Sequence, residues 1–419
     1  MPGLNDFLTS PLFDHVLLSK GLVLFTLFLL AIRFFPEFPR KLTLLLVSLV
    51  LIEIATSPFY VFLFVAFVGL FYYLLLFWLQ WSPRKKEWSY LVSGLLIVFY
   101  FLLMNHPALR TPWTGQMVHK FGIAYSLFRL LSVVFEVGRG SPLPADPLDY
   151  FIYLFFAPTF FQGPIERLDE FQENLQENIS EVRPLSLRGT GSEIIRIAGA
   201  FVKGWLVLRF LTLDWKDFFD TPQHYSYLFL WWGVYVRAIS FYLFVSAAND
   251  LTIACSALAG YRVHENYDYP YFKRNLAEFW RSWHMTLVRF LRDYIYIPLG
   301  GNRRHIFFNF LVIFLTIALW HVTSWAFLIW GLWHGLGMCV LRIWQNFWKQ
   351  VEQQKTPKSF YGLLQDWSRS HPRFIYVVSN LLTFHFVAIS WLPFWGGHPQ
   401  GVNLFLRLIS GNHWKLFLW

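Results

Sequence analysis

Residues 279–302 read FWRSWHMTLVRFLRDYIYIPLGGN, and residues 319–335 read LWHVTSWAFLIWGLWHG. They set His284, His321 and His334 beside Arg, Asp and Trp in a chain whose other long segments are mostly apolar. A charged side chain at the centre of a membrane-spanning helix costs roughly 2.5–3.5 kcal/mol on insertion scales, so one that is kept there is a functional candidate by default. The C-terminal third is therefore where the chemistry is expected.

Working outward, 56% of the 419 residues are hydrophobic, 21% aromatic and only 14% charged, with a mean hydropathy of +0.42. Soluble domains carry about 25% charged residues. The 21 Trp, 20 Tyr and 47 Phe suit a protein with much interfacial and lipid-facing surface. The composition implies an all-α, polytopic integral membrane protein. Apolar runs fall at 17–35, 42–57, 59–79, 88–104, 121–137, 149–163, 194–213, 226–247, 248–260, 306–321, 323–342, 374–394 and 401–419. Several are too short to cross alone, so about ten or eleven true spans are expected, the rest being re-entrant or interfacial. Irregular backbone at membrane depth needs enclosure by protein or a watery cavity, which points to a central tunnel.

The net charge of +10 is dispersed, and it reads as positive-inside topology, not as nucleic-acid binding. Arg33, Arg40 and Lys41 follow the first run and Arg84, Lys85 and Lys86 the third. Both loops are expected in the cytoplasm and the N-terminus outside. The first Lys is Lys20, so the start lacks a signal peptide's basic region. Cys255 and Cys339 lie in apolar segments, which argues against a disulfide framework or a Cys-rich metal site.

No repeat or Gly/Ser linker divides the chain. One membrane-embedded domain over 1–419 is expected: N-terminal spanning helices at 1–120, a core carrying the histidines at 121–345, and a polar segment with C-terminal helices at 346–419. Residues 164–192 alternate apolar and acidic positions at roughly helical spacing, as in an amphipathic helix at the interface. Residues 343–373 are similar, interrupted by Pro357, and the plainer reading of both segments is a solvated connector.

Of the 13 histidines, most sit near span ends or in polar loops, leaving His284, His321, His334, His371 and His385. His321 and His334 are thirteen residues apart, which on one helix is roughly 20 Å of rise with opposed side chains. They cannot share a metal unless the helix breaks between them, and no third ligand has a recognisable spacing, so no metal is expected. A second pair, His371 and His385, raises the alternative of a transmembrane bis-histidine haem protein. That alternative leaves 279–304 without a purpose. Within 279–304, Trp280, Arg281, Arg292, Asp293 and Tyr296 are too polar for a lipid-exposed helix, and Pro298, Gly300 and Gly301 then turn the chain. With His334 they are candidates for binding a polar or anionic substrate arm, because Arg and backbone amides at a Gly-Gly turn suit phosphate. The plainer reading is an interfacial anchor whose arginines snorkel. Asn249 and Asp250 lie deep in apolar sequence, either packing against the 279–304 arginines or catalytic.

These segments resemble the membrane-bound O-acyltransferase family, in particular its bacterial branch that O-acetylates alginate and transfers D-alanine to teichoic acid. The resemblance is carried by FWRSWHMTLVRFLRDYIYIPLGGNRR (279–304), LWHVTSWAFLIWGLWHG (319–335), FFAPTFFQGPIER (155–167) and, more weakly, GIAYSLFRLLSVVFEVGRG (122–140). Residues 1–120 match only as generic apolar spans. The resemblance implies acyl transfer to a hydroxyl, with His321 at the family's invariant histidine and His284 at its second catalytic position, where many eukaryotic members have Asn. His334 corresponds to a further histidine of the bacterial branch. Val322 departs from the usual Gly after the first histidine, and Ala248-Asn249-Asp250 from a Tyr-Ser-Asp-like triplet. Both bear on the shape of the acceptor side.

The resemblance further implies a location in the bacterial inner membrane. No cofactor is expected to be permanently bound. The acyl donor would be acyl-CoA or a phosphopantetheine acyl-carrier protein reaching the cytoplasmic side, and an extracytoplasmic esterase-like or acyl-relay partner would complete transfer. The chemistry suits these residue types independently. Attack of an alcohol on a thioester needs a base, and imidazole titrates near neutrality. A second histidine can orient that base or hold the oxyanion, and a water-poor tunnel protects the donor from hydrolysis. A transporter of envelope precursors without chemistry is the remaining alternative.

Overall fold

The computed structural model describes residues 37–55, 69–105, 116–160, 162–180, 187–210, 215–258, 260–321, 325–353, 360–396 and 399–410. Its apolar runs form helices: α1 (Glu37–Ala55), α2 (Phe71–Gln80), α3 (Lys85–Asn105), α4 (Gln116–Arg139), α5 (Pro147–Phe155), α6 (Leu168–Ser180), α7 (Leu187–Phe210), α8 (Tyr227–Leu258), α9 (Leu276–Trp280), α10 (Met285–Leu291), α11 (Ile306–His321), α12 (Trp325–Gln353), α13 (Phe360–Ser370), α14 (Pro372–Gly396) and α15 (Pro399–Ser410). Among the described residues there is no strand, only an isolated antiparallel bridge between Tyr267 and Trp283. The all-α expectation is borne out.

Three described helices are long and apolar enough to cross a membrane: Tyr227–Leu258, Trp325–Gln353 and Pro372–Pro393, with Ile306–His321 apolar but shorter. The run at 17–35 lies outside the described residues, as do 59–68 of the third run and 411–419 of the last. The runs at 226–247 and 248–260 are not separate. They form the single 32-residue α8, roughly 48 Å long at 1.5 Å per residue. Nothing between Ala247 and Leu251 breaks a helix, and the polar pair Asn249-Asp250 is tolerated there because Asp250 is neutralised by two cations. Those cations are Lys203 and Arg196 of α7, not the arginines of 279–304.

By internal contacts the described chain falls into two compact units, one built from 205–244 and 266–419 and the other from residues up to 204 together with 245–265. In the latter, α1 packs on α5. Asp146 caps α5, its Oδ1 accepting from Leu148 N at 2.9 Å with Pro147 opening the helix. Lys41 pairs with Asp149 at 2.7 Å and with Asp146 at 3.3 Å. Arg40 and Lys41, read from sequence as loop cations, are thus buried in the first turns of α1. Arg129 of α4 donates to the carbonyls of Tyr153 (3.2 Å) and Leu154 (2.6 Å) and to Thr159 Oγ1, so the segments 122–140 and 155–167 meet at one buried guanidinium. An amphipathic helix does form in 164–192, as α6.

In the other unit α11 lies against α12, which packs on α14, and α14 on α15. Close approach of α11 and α12 depends on Gly331: a Cβ there would stand 2.8 Å from Phe314 O and 2.9 Å from Ala318 Cβ. Small residues let helix backbones approach within a membrane, where packing and not water exclusion holds helices together. Outward faces of α12 and α14 are apolar, with Leu336, Val340, Ile343, Leu381 and Leu382 exposed as a lipid-facing surface requires.

Candidate functional site

The stretch 276–304 is not one helix. Asn275 opens α9 as its N-cap, its Oδ1 accepting from Glu278 N at 2.9 Å, while Glu278 reaches back to Arg274 N at 3.2 Å. Asn275 thus satisfies one free N–H of the helix start, and Glu278 satisfies the N–H of the residue before the cap. α9 stops after five residues. The chain then turns through Ser282 and Trp283 to His284, whose φ of 45° lies in the left-handed region. His tolerates that region better than most residues, but it persists only where neighbours hold it.

The segment 266–268 supplies the hold. Asp268 N donates to Ser282 O at 2.9 Å, Met285 N to Asn266 O at 2.9 Å, and Thr286 N and Oγ1 to Asn266 Oδ1 at 3.0 and 2.9 Å. His284 is thereby fixed on both sides at the start of α10, and it is buried.

His321 ends α11 and is half-buried. Both His284 and His321 have the ring of Trp320 beside them. The rings between and around them are Trp320, 4.3 Å from His321 and 6.3 Å from His284, with Tyr267 at 6.3 Å from His284 and Phe327 at 5.9 Å from His321 (centroid distances). The structure therefore brings together the two histidines that the sequence reading assigned to catalysis, in a box of aromatic side chains. Aromatic walls of this kind exclude water.

His334 has a different environment. It is fully buried on α12, and its Nδ1 receives the indole N–H of Trp280 at 3.3 Å. An indole N–H only donates, so Nδ1 carries no proton and Nε2 does. That Nε2–H meets Ser390 Oγ at 2.9 Å, and Ser390 in turn donates to Val387 O at 2.6 Å. Both ring nitrogens are committed. His334 joins α9, α12 and α14, and of the proposed substrate contacts it is Trp280 that it touches.

Arg281, Arg292, Asp293 and Tyr296 are more exposed than His284. Arg281 and Arg292 are exposed, Arg281 Nε donating to Ala277 O at 3.3 Å and Arg292 Nε to Asp293 at 2.7 Å. Tyr296 donates to Asn302 at 2.8 Å. A π-helical turn, 292–296, carries Arg292, Asp293 and Tyr296, and Gly300 and Gly301 follow with φ of 103° and 55°, values open to glycine. Of the four histidines of the haem alternative, His334 has both ring nitrogens bonded, while His371 Nδ1 bonds Trp367 O at 2.9 Å and His385 Nδ1 bonds Tyr235 at 2.8 Å.

Sequence reasoning missed Asn266 and Ser390, which position the histidines, and the pairing of His264 with Glu166. His264 Nδ1 and backbone N contact the buried Glu166 carboxylate at 2.8 and 2.9 Å. With Glu170 these groups bring ligand atoms within 4.8 Å of one another. Both Glu166 oxygens already have His264 as partner, so these hydrogen bonds tie the loop after α8 to the start of α6. Only the Glu of the QGPIER segment hinted at it.

A protein-family model described as MBOAT, membrane-bound O-acyltransferase family, matches residues 95–359, more than half of the chain. A probable alginate O-acetylase of Pseudomonas fluorescens is 26% identical over 323 residues, covering 74% of this chain and 62% of that protein. A peptidoglycan O-acetyltransferase of Helicobacter pylori is 27% identical over 66% of this chain and 50% of its own. A teichoic acid D-alanyltransferase of Streptococcus thermophilus is 23% identical over 75% of this chain and 77% of its own. The chain thus spans about half to three fifths of the length of the curated acetylases it matches. With the matched region containing both motif stretches and the paired histidines, the chain belongs to the membrane-bound O-acyltransferase family.

Proposed function

We propose that the protein transfers an acyl group, acetyl, D-alanyl or similar, from a thioester donor on the cytoplasmic side to a hydroxyl of an extracytoplasmic envelope polymer, with His321 as general base. The observation that carries the reading is the meeting of His284 and His321 in one aromatic box on the motifs the family model matches. His321 is the more open of the two and accepts the hydroxyl proton. His284, held by the 266–268 segment, orients it. The relatives' names supply the acceptor class: alginate, peptidoglycan and teichoic acid are all polymers bearing hydroxyls.

The donor on this reading is acyl-CoA or a phosphopantetheine carrier protein, with Arg281 and Arg292 available to its phosphates because both are exposed. An extracytoplasmic esterase-like or acyl-relay partner receives the group, the N-terminus lies outside, and the protein resides in the inner membrane. The test is acyl transfer per folded molecule by purified protein in lipid nanodiscs, supplied with radiolabelled acetyl-CoA and a hydroxylated glycan. Transfer that disappears in His321→Ala supports the reading. Transfer that survives it overturns the base assignment.

A further inference from the structure

Asn266 is fully buried beside His284, and its amide is used at one end only. Oδ1 accepts two hydrogen bonds from Thr286, one from a backbone N–H that can only donate. This fixes the orientation of the amide: the oxygen faces Thr286 and Nδ2 occupies the other position. Nδ2 has no acceptor among the described residues. An amide donor left without an acceptor inside a protein is costly and calls for an explanation, one of which is a reactant that arrives later.

The location supports that explanation. The carbonyl of Asn266 holds the amide of Met285, next to His284, and the ring of the adjoining Tyr267 lies 6.3 Å from the His284 imidazole. Two donors from Thr286 and the backbone bond to Met285 fix the side chain before any substrate binds, as is needed of a group that stabilises charge without reorganising.

We propose that Nδ2 of Asn266 donates to the acyl carbonyl oxygen as it becomes the tetrahedral oxyanion. The proposal rests on the acyl-transfer reading and adds a catalytic residue to it. In the step, the acceptor hydroxyl oxygen bonds to the thioester carbon while its proton passes to the imidazole of His321. The carbonyl π pair moves to the oxygen that Asn266 holds. On collapse the carbonyl re-forms, the C–S bond breaks, and the thiolate takes the proton back from the imidazolium.

Asn266→Asp separates this role from a structural one. The variant keeps an oxygen for Thr286, and its second position donates only while the carboxyl is protonated. Transfer from radiolabelled acetyl-CoA is measured in nanodiscs between pH 5.5 and 8.5, beside the unfolding temperature. The titratable groups nearby are His284 and His321 of the site and Glu265, Tyr267 and Asp268 of the loop itself, Glu265 paired with Arg196 and Asp268 with Lys273. They are present in both proteins, and their titration cancels to first order in the ratio of variant to wild type. The expected result is a kcat ratio that falls as pH rises, reaching a loss of about 10²–10³-fold, with KM for acetyl-CoA and the unfolding temperature little changed. A ratio near one at every pH, or a loss that follows the unfolding temperature, overturns the proposal. Should the variant not accumulate, Asn266→Ser keeps a short acceptor and no reaching donor. It is expected to lose kcat at unchanged KM, and retained kcat overturns the proposal equally. Wild-type protein without any acyl transfer is a separate outcome, which overturns the acyl-transfer reading on which this one stands.

Discussion

The indole N–H of Trp280 bonds Nδ1 of His334 at 3.3 Å, and Trp280 ends α9, four residues before His284. A histidine of the second motif thus fixes the position of the first motif, while taking no proton of its own: its Nε2–H is committed to Ser390.

His334→Ala is therefore expected to weaken folding before it weakens chemistry. It strands the Trp280 donor and opens a cavity in a core formed with Phe314, Trp330 and Phe386. An unsatisfied buried donor costs about 1–3 kcal/mol. Unfolding temperature and folded yield should drop, while turnover per folded molecule stays within a few-fold of wild type. Loss of turnover by orders of magnitude with an unchanged unfolding temperature would give His334 a chemical role.

Glu278 offers a test by pH. Burial pushes its carboxyl up, but hydrogen bonds from Arg274 and Asn275 and the Arg274 charge outweigh this and hold it below its usual range. A group depressed in the folded state adds stability above its unfolded pKa of roughly 4.3, and that stability is lost as pH falls through the folded value. Glu278→Gln should unfold at a slightly lower temperature than wild type at pH 7, and the gap should close below about pH 4. The effect is small because part-exposed ion pairs contribute about 0–1 kcal/mol. An equal gap at both pH values would assign it to packing.

Helix content was legible because long apolar runs leave a local trace; polar residues inside apolar sequence marked out five histidines, and only the family resemblance singled His284 and His321 out of them. What positions those histidines was not legible. Ser390 lies 56 residues beyond His334, and nothing in its neighbourhood separates it from any serine in a spanning helix. Asn266 precedes an aromatic, turn-rich segment and reads as loop. The reading of 279–304 as one enclosed segment overlooked that a left-handed residue at His284 divides it, because φ leaves no mark on composition. Asp250 was noticed as a charge, but its partners Lys203 and Arg196 stand about fifty residues earlier on another helix.

The proposed orientation is open to labelling. Cytoplasmic loops collect Lys and Arg, and Arg84, Lys85 and Lys86 lie between α2 and α3 or in its first turn. A single cysteine at position 5 should react with an impermeant maleimide added to intact cells, and one at position 84 should react only after permeabilisation. The reverse pattern would move the donor to the opposite face.

The sharpest test of mechanism compares substitutions at the two paired histidines. His321→Ala removes the proton acceptor from a half-buried helix end, where alanine is compatible with the backbone. Transfer should fall about 10²–10⁴-fold, as general-base loss does, with the unfolding temperature near wild type. At His284 alanine removes the imidazole and also meets a left-handed backbone it disfavours, so His284→Ala mixes lost chemistry with strain. Asparagine adopts that conformation readily and keeps a polar group in the site. His284→Asn should therefore unfold near the wild-type temperature and retain more turnover than His284→Ala. Equal loss in the two, at equal unfolding temperature, would mean that the imidazole at 284 takes up a proton itself. Near-wild-type turnover in His321→Ala would remove His321 as the base and the proposed mechanism with it.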